Sequence, residues 1–373
     1  MHVAHLTLHD FRSWPTLELS LDAGVTAFVG HNGQGKTNIV EAIDYLSALT
    51  SHRVSSDAPL VRQGSTQAVV RAAVMRSDRR ALLEVEINPG RSNRARVNGS
   101  PLPKSRELLG LLRTVVFAPD DLSLVKGDPS DRRRFLDGLM VQQTPRLAGI
   151  KSDYERVLKQ RNSLLKSVRA ARGNTDSAIA TLSVWDANLA RFGAQIMARR
   201  VALVEQLRPR LGTAYAAVAR GARREAADVA YSPSVPTEHS QTADLEQDLL
   251  AAIEERRRDE LERGVTLVGP HRDELSCTIG AMPVKGYASH GESWSYALAL
   301  RLASFELLRA DGDDPVLVLD DVFAELDAGR RTQLAELVAD AEQVLITAAV
   351  ADDVPPQLSG ARFTVADGTV TGG

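Results

Sequence analysis

The segment Gly30–Thr37, with the sequence GHNGQGKT, constrains the fold of this chain more than any other stretch. It matches the P-loop pattern G-x-x-x-x-G-K-[ST] in full, with a short apolar run before it and an amphipathic stretch after it. Glycines in such a loop let several backbone N–H groups converge on one phosphate chain, and the following helix N-terminus favours an anion. Lys36 can reach the β- and γ-phosphates, and the Thr37 hydroxyl can ligate Mg²⁺. The segment therefore predicts a strand, a loop and a helix that bind ATP with Mg²⁺.

A second candidate site lies far along the chain, where the apolar run Val316–Leu319 is followed by Asp320 and Asp321. Four apolar residues indicate a buried parallel strand, and open α/β sheets bind their ligands at the carboxyl ends of such strands. Asp320 is suited to hold Mg²⁺, directly or through water, and Asp321 is suited to polarise an attacking water. The alternative is a strand that merely ends in an acidic turn, but the complete P-loop upstream favours the functional interpretation.

Two predicted helix starts near this strand carry further polar residues. Ser289-His290-Gly291-Glu292 precedes an apolar stretch and matches the S-x-x-E capping box, in which Ser289 and Glu292 bind each other's backbone N–H groups. Ala324–Asp327 follows the acidic pair closely and predicts a helix with Asp327 near its first turn. Taken alone, both segments indicate ordinary helix starts.

The rest of the chain alternates between β-rich and helical parts. Apolar residues at helical spacing over residues 131–211, broken at Arg172–Asn174, predict two long helices in an antiparallel hairpin. A Pro- and Ser-rich loop is predicted at Tyr231–Thr242, and a helix at about Ala243–Arg263 leads back to the α/β part. Asn98-Gly99 indicates a type I′ hairpin turn. Strands are predicted at His2–Leu8, Leu17–Leu21, Val25–Val29, Ala68–Met75, Ala81–Ile87, Arg94–Val97, Val115–Phe117, Val265–Val268 and Val344–Ile346.

Composition limits the classes of protein that fit. The 373 residues are 43% hydrophobic and 25% charged, as in ordinary globular proteins, and no apolar run of about 18 residues predicts a membrane span. The single cysteine excludes an internal disulfide and a multi-cysteine metal site. The N-terminus lacks the features of a secretory signal, so we expect a cytoplasmic protein.

Charge is distributed unevenly, although the whole chain carries a net charge of only −3. Residues 131–225 contain 19 Lys and Arg against 8 Asp and Glu, so the remainder carries a formal charge of −14. A basic segment on an acidic body can hold a polyanion such as DNA. The alternative, a set of well-solvated arginine-rich helices, fits the charge pattern equally well.

The order of the motifs resembles the heads of ABC-type ATPases: a P-loop, a late S-x-G-E helix, a strand ending in two acids, and then E-L-D. The N-terminal L-x-x-F-R-S-W segment is similar to the SMC branch of these ATPases. Three segments, Phe117–Leu122, Arg132–Asp137 and Leu267–Asp273, narrow the resemblance to the RecF family of bacterial DNA replication and repair proteins. The resemblance extends from Leu8 to about Thr347, and the chain is too short for the very long coiled coils of other SMC-like proteins.

The resemblance implies an α/β fold with a P-loop ABC-type ATPase head, built from a mixed sheet and a β-rich subdomain, plus a helical second lobe with an antiparallel helical arm. Residues 1–125 and 263–373 would form the two parts of the head, and residues 126–262 the helical lobe, on which the S-x-G-E helix could pack. It also implies a nucleoid-associated homodimer that forms on ATP and binds double-stranded and gapped or single-stranded DNA. Such proteins help to load recombinase and serve the SOS response with RecR and RecO, and they have no membrane partner.

Carried over to this sequence, the resemblance also implies site residues. Lys36, Asp320 and Asp321 would carry catalysis, and Thr37 and Asp320 would bind Mg²⁺. Each ATP is expected between the P-loop of one protomer and Ser289–Glu292, the signature turn, of its partner. The implied ATP-binding residues are Arg12, Gly30, His31, Asn32, Gly33, Gln34, Gly35, Lys36, Thr37, Asn38, Ser289, Gly291, Glu292 and Asp327.

Several positions depart from the common ABC pattern. His290 and Glu292 stand where Gly and Gln are usual, and Trp294 stands where many relatives carry a small or basic residue. Thr347 occupies the end of the strand after which a switch histidine is usual, and Gln63 is the candidate for the Q-loop glutamine. These departures predict slow turnover, so we expect a weak ATPase.

Other interpretations use some of the same motifs. An ABC-type ATPase that serves a transport or other non-DNA partner shares them, but this chain has no permease-like segment and carries a long basic helical insertion. A small-molecule kinase would use the P-loop but not the S-x-G-E helix or the E-L-D segment. His271 and Asp273 in G-P-H-R-D allow a metal site, although a structural or nucleotide-responsive loop is the favoured interpretation.

Overall fold

The computed structural model describes residues 1–171, 176–219 and 226–372, so the predicted break at Arg172–Asn174 lies outside the described residues. The strands are β1 (His2–Phe11), β2 (Trp14–Ser20), β3 (Gly24–Val29), β4 (Ala68–Arg76), β5 (Arg79–Ile87), β6 (Arg94–Val97), β7 (Ser100–Pro101), β8 (Thr114–Phe117), β9 (Ala227–Ser232), β10 (Glu274–Ile279), β11 (Met282–Pro283), β12 (Val316–Asp320), β13 (Gln343–Ala348), β14 (Ala361–Ala366) and β15 (Thr369–Gly372). The α-helices are α1 (Lys36–Ala48), α2 (Leu122–Lys126), α3 (Pro129–Gln143), α4 (Leu147–Ala171), α5 (Asp176–Val218), α6 (Thr242–Arg263), α7 (His290–Arg309) and α8 (Ala328–Val338).

The strands of the described residues form three sheets. The mixed sheet has the order β15-β14-β3-β13-β12-β8, and all of its strands except β15 run parallel to their neighbours. The antiparallel sheet has the order β2-β1-β4-β5-β6-β7, and the small sheet has the order β11-β10-β9. The P-loop strand β3 therefore lies inside the mixed sheet, between strands from the last part of the chain.

Helix α1 separates the two large sheets and fills the space between them. The apolar face expected from 3.6-residue periodicity comprises Ile39, Val40, Ile43, Leu46 and Leu49. The first four are completely buried, whereas Leu49 is half-buried and lies just after the last residue of the helix. They belong to a core that also contains alternate residues of β12, whereas the other residues of β12 face a second core beneath α7 and the helical lobe. Burial on both faces explains why the parallel strand Val316–Asp320 is a continuous apolar run.

Most predicted strands are confirmed, with ends that shift by a few residues. The hairpin turn is also confirmed, since Asn98 and Gly99 have the positive φ angles of 50° and 81°. The strand predicted at Val265–Val268 is wrong. There, Asn162 Oδ1 accepts the Thr266 N–H at 2.8 Å, and Glu260 Oε1 accepts the Leu267 N–H at 2.7 Å. Side chains thus satisfy the backbone donors that a strand would use.

The small sheet is the element that the sequence patterns did not predict. Its strand β9 includes Tyr231 and Ser232, so the loop predicted at Tyr231–Thr242 is shorter, and α6 already begins at Thr242. The strand that follows α6 is β10, six residues after the predicted strand ends. Each short strand here pairs with a distant or very short partner, which local periodicity does not reveal.

The predicted antiparallel helical hairpin is confirmed in α4 and α5. Tyr154 of α4 lies against Gly193 of α5, whereas Arg161, seven residues further along α4, bonds to Asp186, seven residues earlier in α5. Helices α6 and α7 both pack along α5. Helix α5 is therefore the element that joins the helical lobe to the S-x-G-E helix.

Arg161 is the buried centre of the helical lobe, with none of its side chain exposed. Its guanidinium donates to Asp186 Oδ1 at 2.7 Å, Glu260 Oε2 at 2.6 Å and Thr266 Oγ1 at 2.9 Å. One side chain thus links α4, α5, α6 and the segment that precedes β10. Buried charges are tolerated when they are paired, and here the second oxygen of Asp186 also forms an ion pair with Arg257 at 3.0 Å.

Two further features concern reactivity and membranes. Cys277 on β10 is unpaired, and burial raises the pKa of its thiol to about 11, so it is a poor nucleophile. Among the described residues, we find no helix with the length and apolar character needed to cross a bilayer.

Replacing Arg161 should weaken the whole helical lobe. Arg161→Ala leaves the buried Glu260 without its cation and Asp186 with Arg257 alone, which should cost about 3–5 kcal/mol of the free energy of unfolding. Urea unfolding followed by circular dichroism measures this change. Arg258→Ala is the matched control, because its side chain is 90% exposed and should change stability by less than about 0.5 kcal/mol. Equal effects of the two substitutions would contradict the role assigned to Arg161.

Candidate nucleotide-binding site and basic groove

The P-loop joins β3 to α1 at the carboxyl edge of the mixed sheet. Gly35 immediately precedes α1 with φ of 97°, and a Cβ there would lie 2.7 Å from Ser13 Oγ, so the turn needs glycine. Lys36 is buried, and its Nζ donates to the carbonyl oxygens of Gly30 at 2.7 Å and His31 at 3.1 Å. The ammonium group is thus held inside the loop by its own backbone.

Asp320 joins the P-loop helix to two strands of the sheet. Its Oδ1 accepts hydrogen bonds from Thr37 Oγ1 at 2.8 Å and from Thr347 Oγ1 at 2.7 Å. Thr347 Oγ1 also accepts the backbone N–H of Asp321 at 2.9 Å, and Asp321 has the unusual φ of 49°. The structure therefore brings together three predicted site residues and adds Thr347 as a fourth.

The negative charge of Asp320 is unfavourable in its surroundings, and a bound cation would offset it. Burial, reinforced by the charge of Asp321, raises the pKa of Asp320, although the hydrogen bonds from Thr347 and Thr37 oppose the shift. A threonine hydroxyl and a carboxylate within hydrogen-bond distance are oxygen ligands of the kind that Mg²⁺ prefers. The donor set and its uncompensated negative charge therefore fit Mg²⁺.

Arg12 lies on the turn between β1 and β2, which packs against the end of the P-loop. Trp14 Nε1 on this turn donates to the Gly35 carbonyl at 3.1 Å, and Asn38 Nδ2 donates to Ser13 Oγ at 2.9 Å. Arg12 itself donates to both carboxylate oxygens of Glu41 on α1, at 2.9 and 2.6 Å. In this structure its guanidinium is therefore held beside the first two turns of α1.

A loop after α1 returns to the same place and was not recognised in the sequence. Arg53 donates to Asn38 Oδ1 at 3.1 Å and to Glu41 Oε2 at 3.1 Å, and His52 Nδ1 lies 3.0 Å from Asp44 Oδ2. Burial opposes protonation of His52, but Asp44 outweighs it and raises the pKa. The only signal available was the run Ser51-His52-Arg53, which no periodicity or spacing rule distinguishes.

The other P-loop residues differ in exposure. His31, Asn32 and Gly33 are exposed to solvent, whereas Gln34 is half-buried and its Oε1 accepts the Asp367 N–H at 2.8 Å. The hairpin of β14 and β15 is thereby fastened to the loop. Gln63 lies in the loop before β4, apart from the mixed sheet.

The signature turn forms the predicted capping box. Ser289 Oγ accepts the Glu292 N–H at 3.2 Å, and Glu292 Oε2 accepts the Ser289 N–H at 2.8 Å, so α7 begins at His290. Asp327 has the same role for α8, because its Oδ1 accepts the Arg330 N–H at 3.0 Å. Ser289 is exposed, which leaves the turn accessible to another molecule.

The G-P-H-R-D segment has a structural arrangement. His271 Nδ1 lies 2.7 Å from the Tyr154 hydroxyl, and Asp273 accepts hydrogen bonds from the Tyr231 hydroxyl and the Ser234 N–H. The two side chains therefore have separate partners. Among the described residues, no group of three or more His, Cys, Asp and Glu side chains could hold a metal ion.

A groove runs between the antiparallel sheet, the end of α1 and the helical lobe. It consists of two connected cavities of about 990 and 900 Å³ that share Ala48, Thr50, Leu109, Ala148 and Ser152. Nine Lys or Arg residues line this basic groove, against three Asp or Glu residues. The nine are Arg53, Arg91, Arg94, Lys104, Arg106, Arg133, Arg134, Lys151 and Arg200. A groove with this excess of positive charge suits a polyanion.

Comparison with known proteins reveals close relatives. The family described as RecF/RecN/SMC N terminal domain matches residues 2–355. The chain is 61% identical to the DNA replication and repair protein RecF of Nocardioides sp. (strain ATCC BAA-499 / JS614) and 60% identical to that of Streptomyces avermitilis, with 99% of each chain covered in both cases. It is also similar to a solved structure of the recombination mediator protein RecF-ATP in the RecFOR pathway, with a TM-score of 0.90 and 28% identity, over 100% of this chain and 97% of that one.

His271 should make stability depend on pH. Burial lowers the pKa of His271 from 6.5 to about 4, so the native state keeps the imidazole neutral while the unfolded chain protonates near pH 6.5. The contribution of the neutral His271 to the free energy of unfolding is fully present above pH 6.5, and it is lost as the pH falls towards 4.

The melting temperature should therefore fall between about pH 7.5 and about pH 5, and it should fall less in His271→Gln. Thermal melting at the two pH values measures the difference. His9→Gln, at an exposed position on β1, is the control and should keep the dependence of the unsubstituted protein. An unchanged dependence in His271→Gln would show that this imidazole is not responsible.

Proposed function

Because the chain belongs to the RecF family of DNA replication and repair proteins, we propose that it is an ATP-gated homodimer that binds DNA during recombinational repair. The observation that carries the proposal is the contact of Thr37 with Asp320, which would complete a nucleotide site. The signature turn supports it, because the exposed Ser289 makes this turn accessible to another copy. In this scheme the protein works in the cytoplasm on gapped or single-strand/double-strand DNA, with RecR and RecO as partners. It helps to load recombinase and supports the SOS response.

The P-loop is arranged to receive a triphosphate. The Lys36 ammonium group donates to the carbonyls of Gly30 and His31, and phosphate oxygens of a bound nucleotide can replace these acceptors. The N-terminus of α1 and the exposed backbone of residues 31–33 add N–H donors that favour an anion. We assign ATP contacts to Gly30–Asn38 on this basis, with Arg12 available once it leaves Glu41.

Hydrolysis needs a metal ligand and a proton acceptor at the same edge of the sheet. Thr37 and Asp320 would hold Mg²⁺, which when bound neutralises charge on the phosphates. Asp321 would accept a proton from a water molecule as the water oxygen bonds to the γ-phosphorus and the bond to the leaving ADP breaks. Thr347 stands where a histidine could have assisted, so we propose slow turnover and a weak ATPase.

The homodimer would place each ATP between two copies of the chain. Ser289, Gly291 and Glu292 of one protomer, followed by Asp327, would face the triphosphate on the P-loop of its partner. The positive end of α7 favours the phosphates, and the capping box holds the Glu292 carboxylate against the Ser289 N–H, away from them. This contact exists only in the closed dimer, so ATP shifts the population towards closure.

The basic groove is the proposed DNA surface. It lies between residues 1–125, the first part of the proposed head, and residues 126–262, the proposed helical lobe. Several arginines of the basic segment are already paired inside the protein, including Arg132 with Glu274 and Arg200 with Asp137. Lys104 is exposed and Arg106 half-buried in the groove, so both are accessible to phosphate oxygens.

Blocking the signature turn should prevent dimerisation but spare ATP binding. Ser289→Arg places a bulky cation where the nucleotide of the partner is expected, so the ATP-dependent dimer seen by sedimentation should be lost while a fluorescent ATP analogue still binds. Ser289→Ala is the matched control, because it removes the same helix cap, worth about 1 kcal/mol, without adding bulk. A dimer of normal affinity in Ser289→Arg would exclude the shared site.

Charge removal in the groove should weaken DNA binding at all sequences alike. Lys104→Gln and Arg106→Gln should each lower the affinity for duplex DNA and reduce the slope of log affinity against log salt by about 1, since each removes one phosphate contact. Titration of labelled DNA across several salt concentrations measures both quantities. Arg258→Gln on α6 lies outside the groove and should bind like the unsubstituted protein. Equal salt dependence in the unsubstituted protein and the three variants would show that the DNA surface lies elsewhere.

A further inference from the structure

Arg330 connects the signature turn to Asp327. It lies in the first turn of α8, and its Nε donates to Ser295 Oγ of α7 at 3.0 Å. Its Nη1 donates to the carboxylate of Asp327. A Cβ added at Gly291 would lie 2.9 Å from Nη2, so the guanidinium packs directly against the signature turn.

The position of this guanidinium is electrostatically unusual. A cation beside the N-terminus of α7 is opposed by the helix dipole, so packing alone does not favour it there. Asp327 supplies the compensating charge, and the backbone N–H and charge of Arg330 lower the pKa of Asp327. The guanidinium is therefore electrostatically unfavourable beside the signature turn, and it is held there by one contact to α7 and one to the N-cap of its own helix.

The hydrogen bonds of Arg330 use two different edges of its planar, forked guanidinium group. One edge binds α7 through Ser295, and the other binds the start of α8 through Asp327. Lysine has one ammonium centre on a flexible chain and lacks this planar geometry. A side chain at position 291 would meet the end of this guanidinium, which would have to shift.

We propose that Arg330 is a positioning residue that locks the signature turn to Asp327, so that both meet the ATP of another copy as one pre-arranged surface. The inference rests on the proposed function, because it assumes that these two segments face a shared nucleotide. It adds that dimerisation, but not ATP binding by a single protomer, depends on Arg330. The side chain lies about a quarter exposed, on the surface that the partner would cover.

The test measures ATP-dependent dimerisation by sedimentation and ATP binding with a fluorescent analogue. Arg330→Ala should raise the dimer Kd at saturating ATP by about 10- to 100-fold, because bonds from a charged donor are lost, while ATP binding stays within about twofold. Arg330→Lys should remain impaired, because it keeps the charge but not the fork. Arg258→Ala is the control and should dimerise normally.

A double-mutant cycle separates locking from general damage. Gly291→Ala shifts the guanidinium and should weaken dimerisation when Arg330 is present, and less when Arg330→Ala has already vacated the space. Ser295→Ala removes only the Nε acceptor and should cause a smaller loss of the same kind, which tests the idea even if Arg330→Ala folds poorly.

The outcomes distinguish the role of Arg330 from the proposed function on which it rests. If the unsubstituted protein does not dimerise with ATP, the proposed function fails. If it dimerises and Arg330→Ala does so with similar Kd, or if Arg330→Lys restores full affinity, the locking role is overturned while the proposed function stands. Additive effects of Gly291→Ala and Arg330→Ala would likewise refute the contact as the cause.

Discussion

The carboxylate of Asp320 is the point at which distant parts of the chain become one site. It accepts hydrogen bonds from Thr37 at the start of α1 and from Thr347 at the end of β13. A carboxylate this deeply buried is stable only with such donors, and they align the P-loop helix with two neighbouring strands. The position of the phosphate-binding loop is therefore fixed by residues nearly 300 positions away. Everything else that the head does depends on that alignment.

Much of this arrangement could be predicted because its signals are local. The P-loop, the acidic pair at the end of β12 and the capping box each lie within eight residues, and the structure confirms the elements on which they lie. The strand predicted at Val265–Val268 failed because side chains from other helices bind its backbone, which no local pattern reports. The hydrogen bonds of Thr347 and the role of Arg330 were not predicted for the same reason, since both depend on contacts across the fold.

The distribution of charge along the sequence was also an incomplete guide to the charged surface of the fold. The surplus in residues 131–225 suggested a basic surface, but Arg161 and Arg132 are largely buried and paired with acids. These arginines hold the helical lobe together rather than present charge to solvent. The basic groove instead combines side chains of the antiparallel sheet with others from α3 and α4, so it exists only after the two regions meet. A count of charges along the sequence cannot separate these two uses of arginine.

The place of β3 in the mixed sheet also determines the order in which the protein can be built. Its neighbours β13 and β14 are synthesised about 320 residues after it. At a translation rate of about 5–20 residues per second, the apolar strand that carries the P-loop waits roughly 15 to 65 s without its partners. The antiparallel sheet and the helical hairpin can form during that interval, because their strands and helices are close in sequence. The nucleotide site can thus be completed only after β13 and β14 have been made, and until then β3 has unpaired edges of the kind that promote aggregation.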